Sequence, residues 1–269
     1  MSWGPRDCVE GSYTPARLSL IPCFASNILN LEKYVRRGEF VTVGRTRSDL
    51  SSCTPEVPSF DDFNPKAIIP FGVSVEHVHR AMLDFVEFLR AVDTEFVRKG
   101  MSRLEDMLMP ANFSSIVGEF ITSSLPRHCL TIAKNVYHNG HPDLLPAGKY
   151  PSNAAQHAGA DGIEVKASRY LRGWQGHNPE DVWLMVFVFE SGRPADLQKT
   201  KQRKVFRFHA VYGGMLAKTD WQFGGRSSTS RRTITATVLP SGFEKMSMNW
   251  IYQARAASSE RQADLIAAH

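Results

Sequence analysis

The chain has 269 residues, of which 42% are hydrophobic and 22% charged, with a formal net charge of +5 and an isoelectric point near 9.1. This composition suits a globular protein with a sizeable core and excludes an intrinsically disordered chain. No apolar run approaches the ~20 residues of a membrane-spanning helix. The N-terminus also lacks a signal-peptide pattern, so we expect a cytoplasmic protein without a membrane partner.

The positive charge lies in the C-terminal part of the chain. Residues 1–163 contain 16 Lys and Arg against 18 Asp and Glu, whereas residues 164–269 contain 16 against 9, a net charge of +7. Such a basic excess favours a polyanionic partner such as nucleic acid, although a solvated basic surface is an open alternative.

The first clear element in chain order is a helix that begins after Ser74 and ends before Gly100. Apolar residues recur in this stretch at spacings of three and four, which predicts a helical stripe. The stripe has two possible interpretations: a coiled-coil dimer seam, or one long helix that packs on its own domain. Its members are Val75, Val78, Met82, Phe85, Leu89, Val92 and Phe96.

Two further helices are predicted over residues 102–109 and 113–125, and Pro126 is expected to end the second. After this helix the composition changes to segments rich in Val, Ile and aromatic residues, which predict strands. The continuously apolar run at 182–189 is typical of a strand buried on both faces. The predicted strands cover residues 130–137, 162–167, 182–190, 205–212 and 233–239, and a mixed or helical segment follows at 241–257. The fold class expected is α/β (α+β), a central mixed β-sheet flanked by helices.

Charged residues with possible chemistry surround the second predicted strand. Asp143 follows Pro142, and Glu164 and Lys166 occupy alternate positions of the strand, so their side chains share one face. Two charges on an otherwise apolar strand are costly to bury without a use. We therefore expect both to line a cleft, although an exposed cross-strand pair and a turn-capping Asp143 are the structural alternative.

Two carboxylates are suitable ligands for Mg²⁺, which keeps several waters and binds substrate phosphate. Asp143 and Glu164 would supply those ligands, and the backbone carbonyl of Val165 is a further candidate. Lys166 would orient the attacking water, help to deprotonate it, or stabilise negative charge in the transition state. The pattern indicates metal-assisted hydrolysis of phosphodiesters.

Pro142-Asp143 followed by Glu164-Val165-Lys166 resembles the PD-(D/E)XK motif of restriction-type nucleases. The resemblance covers roughly residues 112–212 and implies a core of one helix followed by three strands. It also implies an accessory metal-site role for Glu119, which lies on the preceding helix. The chain departs from the family pattern after Lys166, where residues 169–181 contain Gly and Pro instead of a helical sequence.

Three basic or polar segments are candidates for contact with DNA. A Gly-punctuated loop follows the strand of Glu164, a basic turn lies near residue 200, and a Gly-Gly loop rich in Ser and Arg lies near residue 228. Each has an ordinary turn or surface loop as its alternative. The candidate residues are Arg169, Arg172, Gln175, His177, Asn178, Lys201, Arg203, Lys204, Arg226, Ser228, Arg231 and Arg232.

Taken with the resemblance, these features indicate a Mg²⁺-dependent, sequence-specific endodeoxyribonuclease of the type II restriction kind. Its partners would be double-stranded DNA and a second copy of the chain, with the helix 75–96 as the dimer element. A repair or recombination nuclease of the same superfamily and a non-catalytic DNA-binding protein are the alternatives. The expected single nuclease domain divides into an irregular segment 1–72, a helical part 73–110, a catalytic core 112–212 and a DNA-contacting and C-terminal part 213–269.

Overall fold

The helical stripe forms one long helix, α1, at Val75–Arg98. The computed structural model describes residues 53–192, 204–224 and 235–255, which lie in the compact unit Thr46–His269. Four members of the stripe, among them Met82 and Phe85, are fully buried in the core of this unit. The interpretation as a helix that packs on its own domain is therefore confirmed. A coiled-coil seam built from this stripe is disfavoured, because the chain itself already covers these four side chains.

A short helix, α2, covers Leu104–Met107, and a longer one, α3, covers Pro110–His128. The expectation that Pro126 ends the helix is wrong, since this residue lies inside the last turn of α3. A proline there removes one backbone N–H donor close to the helix end, and the amide of Cys129 still donates to the carbonyl of Leu125 at 3.1 Å.

The central sheet is mixed and has six strands in the order β1-β2-β3-β5-β6-β9. Strands β3 and β5 are parallel, and the other neighbours are antiparallel. This confirms the fold class expected from the sequence. The strands of this sheet are β1 Ile132–Lys134, β2 Leu144–Pro146, β3 Ile163–Ser168, β5 Val182–Glu190, β6 Arg207–Leu216 and β9 Trp250–Gln253.

The connection between parallel strands β3 and β5 contains no helix, as its Gly and Pro residues predict. It contributes instead a short strand, β4, to a second sheet in the order β4-β8-β7. A last helix, α4, at Pro240–Met248 follows this sheet. The strands of the second sheet are β4 Gln175–Gly176, β7 Trp221–Gly224 and β8 Thr235–Val238.

Strand β5 separates two hydrophobic cores, and all its residues from Val182 to Phe189 are buried. Its odd-numbered side chains join α1 and α3 in one core. Its even-numbered side chains meet the second sheet and α4 in the other. The prediction of a strand buried on both faces is confirmed, and this central strand fixes the neighbouring strand β3. In the described ranges no helix is long and apolar enough to cross a membrane.

Candidate active site

Asp143 and Glu164 are brought together by the pairing of β2 with β3. Leu144 is the register partner of Ile163 in this antiparallel pair. Asp143, the residue before Leu144, therefore lies beside Glu164, the residue after Ile163. One oxygen of the Asp143 carboxylate accepts a hydrogen bond from the backbone N–H of Val165 at 2.8 Å. Residues that are 21 positions apart in the sequence therefore share one site.

The alternation expected for β3 is observed. Ile163 and Val165 are buried in the core beneath the sheet. Glu164 and Lys166 both line a pocket, together with Asp143. The structure thus brings together the three residues proposed from the sequence as catalytic.

Glu164 is buried and is held by two cationic side chains. Its Oε1 lies 2.5 Å from Nζ of Lys166, and its Oε2 lies 2.9 Å from Nδ1 of His141. Burial alone would raise the pKa of Glu164, but the hydrogen bond from His141 and the charge of Lys166 outweigh it and lower the pKa to about 2. Glu164 is therefore an anion at neutral pH.

His141 was not found by sequence reasoning, although it directly precedes Pro142-Asp143. Its Nε2 lies 3.0 Å from the carboxylate of Glu180, so the ring is placed between two acidic groups. Burial opposes the charged form, but the hydrogen bonds and charges of Glu164 and Glu180 raise the pKa of His141 to about 10. The ring is a half-buried cation, and a lone histidine in the sequence carries no signal for such a role.

The pKa values of Asp143 and Lys166 are also shifted by their surroundings. Burial, followed by the negative charge of Glu164, raises the pKa of Asp143 to about 7. Burial favours the neutral amine of Lys166, but the charge and hydrogen bond of Glu164, together with the charges of Asp143 and Glu180, outweigh it and raise the Lys166 pKa. Glu164 already has two cationic partners, so Asp143 is the carboxyl group whose charged form an added cation would stabilise.

The pocket above these groups has a volume of about 930 Å³ and opens to solvent. One wall is formed by α3 through Ser115, Gly118 and Glu119, and another by the segment from Lys134 to His141. His177, proposed from the sequence as a DNA contact, also lines it. The pocket is open to solvent, and polar side chains contribute to both walls.

Glu119 lies at the pocket rim, as the family resemblance implies. Its side chain is 69% exposed and pairs with Nζ of Lys134 at 2.9 Å. Its charge contributes to raising the pKa of Asp143, after burial and the charge of Glu164. Glu119 is therefore near the carboxylates but already has a cationic partner.

The turn between Lys134 and His141 is held by the buried amide of Asn135. Its nitrogen donates to the carbonyls of Pro142 at 3.0 Å and Ala155 at 2.7 Å, and its oxygen accepts from the backbone of Tyr137 and Ala155. This clamp fixes the backbone on both sides of His141. It places the exposed side chain of Tyr137 at the pocket.

The oxygen ligands at the site suit a magnesium ion that is held by few protein side chains. Across the residues that the structure describes, no group of three or more His, Cys, Asp or Glu side chains is arranged to hold a metal. Mg²⁺ in phosphate-transferring sites commonly takes only one or two carboxylates and fills its shell with water and substrate phosphate. Asp143 and Glu164, with the Asp143 pKa raised by burial and by the neighbouring carboxylate, fit that pattern.

The proposed DNA-contact residues have diverse surroundings. Arg169 points into the protein: its guanidinium donates to the carbonyl of Ser191 at 2.9 Å and lies over the ring of Phe189. Arg172 is exposed and lies over the ring of Phe243, 5.1 Å from its centroid. Lys204 pairs with the carboxylate of Glu190.

Gln175, His177 and Asn178 are exposed on and beside β4. His177 reaches the pocket that contains the acidic groups. The remaining sequence candidates, Lys201, Arg203, Arg226, Ser228, Arg231 and Arg232, lie outside the described residues.

Comparison with known proteins gives no family for the chain. No protein-family model matches the sequence, and no curated protein matches it significantly.

Proposed function

We propose that the protein is a Mg²⁺-dependent endodeoxyribonuclease that hydrolyses phosphodiester bonds of double-stranded DNA. The observation that supports this most is the meeting of Asp143, Glu164 and Lys166 in one open pocket. Binding alone gives no reason to place two carboxylates at a surface that faces phosphate. The basic excess after residue 163 supports a polyanionic substrate.

Asp143 and Glu164 are the residues that would hold Mg²⁺, with the carbonyl of Val165 as a further oxygen donor and Glu119 as an accessory group at the rim. When bound, the ion supplies Lewis-acid stabilisation of the phosphoryl charge and lowers the pKa of a coordinated water.

Lys166 has the role of a positively charged group. Its raised pKa keeps the amine protonated at neutral pH, so it is suited to orient a water and to stabilise negative charge on the phosphoryl oxygens. A role as general base would require the neutral amine, which the adjacent Glu164 disfavours. His141 holds the other oxygen of Glu164 and fixes the direction of that carboxylate.

Sequence-specific cleavage, as in a type II restriction enzyme, is the finer form of the proposal. It rests on the resemblance of Pro142-Asp143 and Glu164-Val165-Lys166 to the restriction-type motif. A homodimer would match a two-fold DNA site. Since the stripe of α1 is buried, such a dimer would use another surface.

The test is incubation of the purified full chain with bacteriophage DNA and Mg²⁺, and a parallel incubation with EDTA. Discrete fragments that require Mg²⁺ are expected. A smear would indicate a nuclease without sequence preference, such as a repair enzyme, and would contradict the finer proposal only. Intact DNA that is retarded in a gel would contradict the enzymatic proposal and favour a non-catalytic DNA-binding protein.

A further inference from the structure

Three uncharged polar side chains form a row across the second sheet. Gln175 of β4 is the register partner of Thr237 of β8, which in turn is the partner of Gln222 of β7. Directly opposite residues of antiparallel strands project to the same side of a sheet. Both glutamines are exposed and Thr237 is half-buried, so the row faces outward.

The opposite face of this sheet is fixed to the protein. Ala236 and Val238 are buried in the second core. The indole N–H of Trp174 donates to the carbonyl of Tyr170 at 2.8 Å, and that of Trp221 donates to the carbonyl of Glu180 at 3.0 Å. These contacts make the row a rigid platform.

The platform is tied to the pocket of Asp143 and Glu164 at two points. Glu180, whose carbonyl receives the Trp221 indole, also contacts His141 through its carboxylate. His177, two residues after Gln175, lines the pocket. Two residues of chain span at most about 7 Å, so the row begins near the part of the pocket that His177 lines.

The dimensions of the row fit the major groove of DNA. Neighbouring strands are about 4.8 Å apart, which gives the row a length of about 10 Å over three strands. Base pairs follow one another every 3.4 Å or so, so a row that lies along the groove would face about three base pairs. Glutamine presents a donor and an acceptor that match an adenine edge, and threonine contacts base edges through its hydroxyl or methyl.

The charge of the sequence between β7 and β8 favours duplex DNA as the occupant of this face. The sequence that joins β7 to β8, residues 225–234, contains three arginines and no acidic residue. The row itself is neutral and therefore adds hydrogen-bonding selectivity without general phosphate attraction.

We propose that Gln175, Thr237 and Gln222 are specificity-determining residues that read base edges in the major groove beside the cleavage pocket. The inference rests on the proposed function in taking duplex DNA as the ligand.

The experiment is selection of duplexes from a random-sequence pool by the full chain, with sequencing of the retained DNA. All proteins carry Asp143→Asn to prevent cleavage, since the amide oxygen can still accept the N–H of Val165. Gln175→Ala, Gln222→Ala and Thr237→Val are each compared with that parent. Gln156→Ala, at an exposed glutamine outside the second sheet, is the matched control, and thermal unfolding verifies that each variant is folded.

The parent is expected to enrich a defined sequence. Each row variant should lose preference at one or two adjacent base pairs by about 5- to 150-fold, with non-specific affinity and its salt dependence unchanged. The control should retain the full preference. An unchanged preference in all three row variants, or no enrichment by the parent, would overturn the inference.

Cleavage by the wild-type chain is scored separately. Enrichment of a sequence by the parent, together with no Mg²⁺-dependent cleavage by the wild type, would refute the proposed function and leave the base-reading face supported. Mg²⁺-dependent cleavage by the wild type, together with no sequence enriched by the parent, would support the proposed function and refute the base-reading face.

Discussion

Replacing His141 with glutamine tests the electrostatic structure of the site. The ring is a cation between Glu164 and Glu180, at 2.9 Å and 3.0 Å. Glutamine is neutral, so both carboxylates would lose their positively charged partner while they remain partly buried. Removal of one partner from a buried ion pair costs about 3–5 kcal/mol of unfolding free energy.

The raised pKa of His141 gives a similar magnitude for this loss of unfolding free energy. A rise from 6.5 to about 10 corresponds to an upper limit of roughly 5 kcal/mol at 1.36 kcal/mol per pKa unit. Because the folded pKa is raised, this stabilisation is complete below pH 6.5 and is lost as the pH rises towards 10. The difference in unfolding free energy between wild type and His141→Gln should therefore shrink by about 1.4 kcal/mol per pH unit over this window.

Urea unfolding at several pH values from 6 to 9.5, in EDTA, measures that difference. His138→Gln is the control, since His138 is an exposed histidine of the same pocket. It should have little effect at any pH. A His141→Gln penalty that stays constant over the whole range would refute the assignment of a half-buried, charged ring.

Two other substitutions test packing, one in the connection between α1 and α2 and one directly before strand β3. Arg103→Met should lower the unfolding free energy by about 3–5 kcal/mol, because Arg103 is buried and its guanidinium lies 2.8 Å from the buried carboxylate of Glu105; a loss below about 1 kcal/mol in urea unfolding would contradict this. Gly162→Ala should disrupt the pairing of β2 with β3 and lower the thermal midpoint, because a new Cβ would lie 2.2 Å from the carbonyl oxygen of Leu144. Gly118→Ala is its control, since the nearest atom to a Cβ there is 3.8 Å away, and equal midpoints for the two variants would show that the close approach is unimportant.

Burial patterns explain which elements could be predicted from the sequence. Each apolar side chain in α1 and β5 packs against a core, so the spacing of apolar residues follows the secondary structure. That spacing was therefore enough to predict a helix and a strand and, nearly, where each begins and ends. The proximity of Asp143 to Glu164 was expected from the metal-ligand pattern and its resemblance to the PD-(D/E)XK motif, whereas strand β2, whose pairing with β3 brings them together, was not predicted.

Elements that depend on distant contacts could not be predicted. The sequence predicts that β6 ends at Tyr212 before two glycines, yet the strand continues to Leu216. A Cβ at Gly213 would lie 2.3 Å from the Trp183 ring, so glycine is needed there because of a residue 30 positions away. The contact of His141 with Glu180 is of the same kind, since no local pattern links residues so far apart.

The most direct test of the central claim is the rate at which supercoiled plasmid is cut by wild type and by Asp143→Asn, each with Mg²⁺ and with EDTA. Wild type with Mg²⁺ should nick or linearise the plasmid, and wild type in EDTA should leave it intact. Asp143→Asn should be slower by more than about 100-fold, since even outer partners of metal ligands commonly contribute 10- to 100-fold. Cleavage by Asp143→Asn at the wild-type rate, or cleavage by wild type in EDTA, would contradict the assignment of Asp143 and Glu164 as the metal-binding centre of a nuclease.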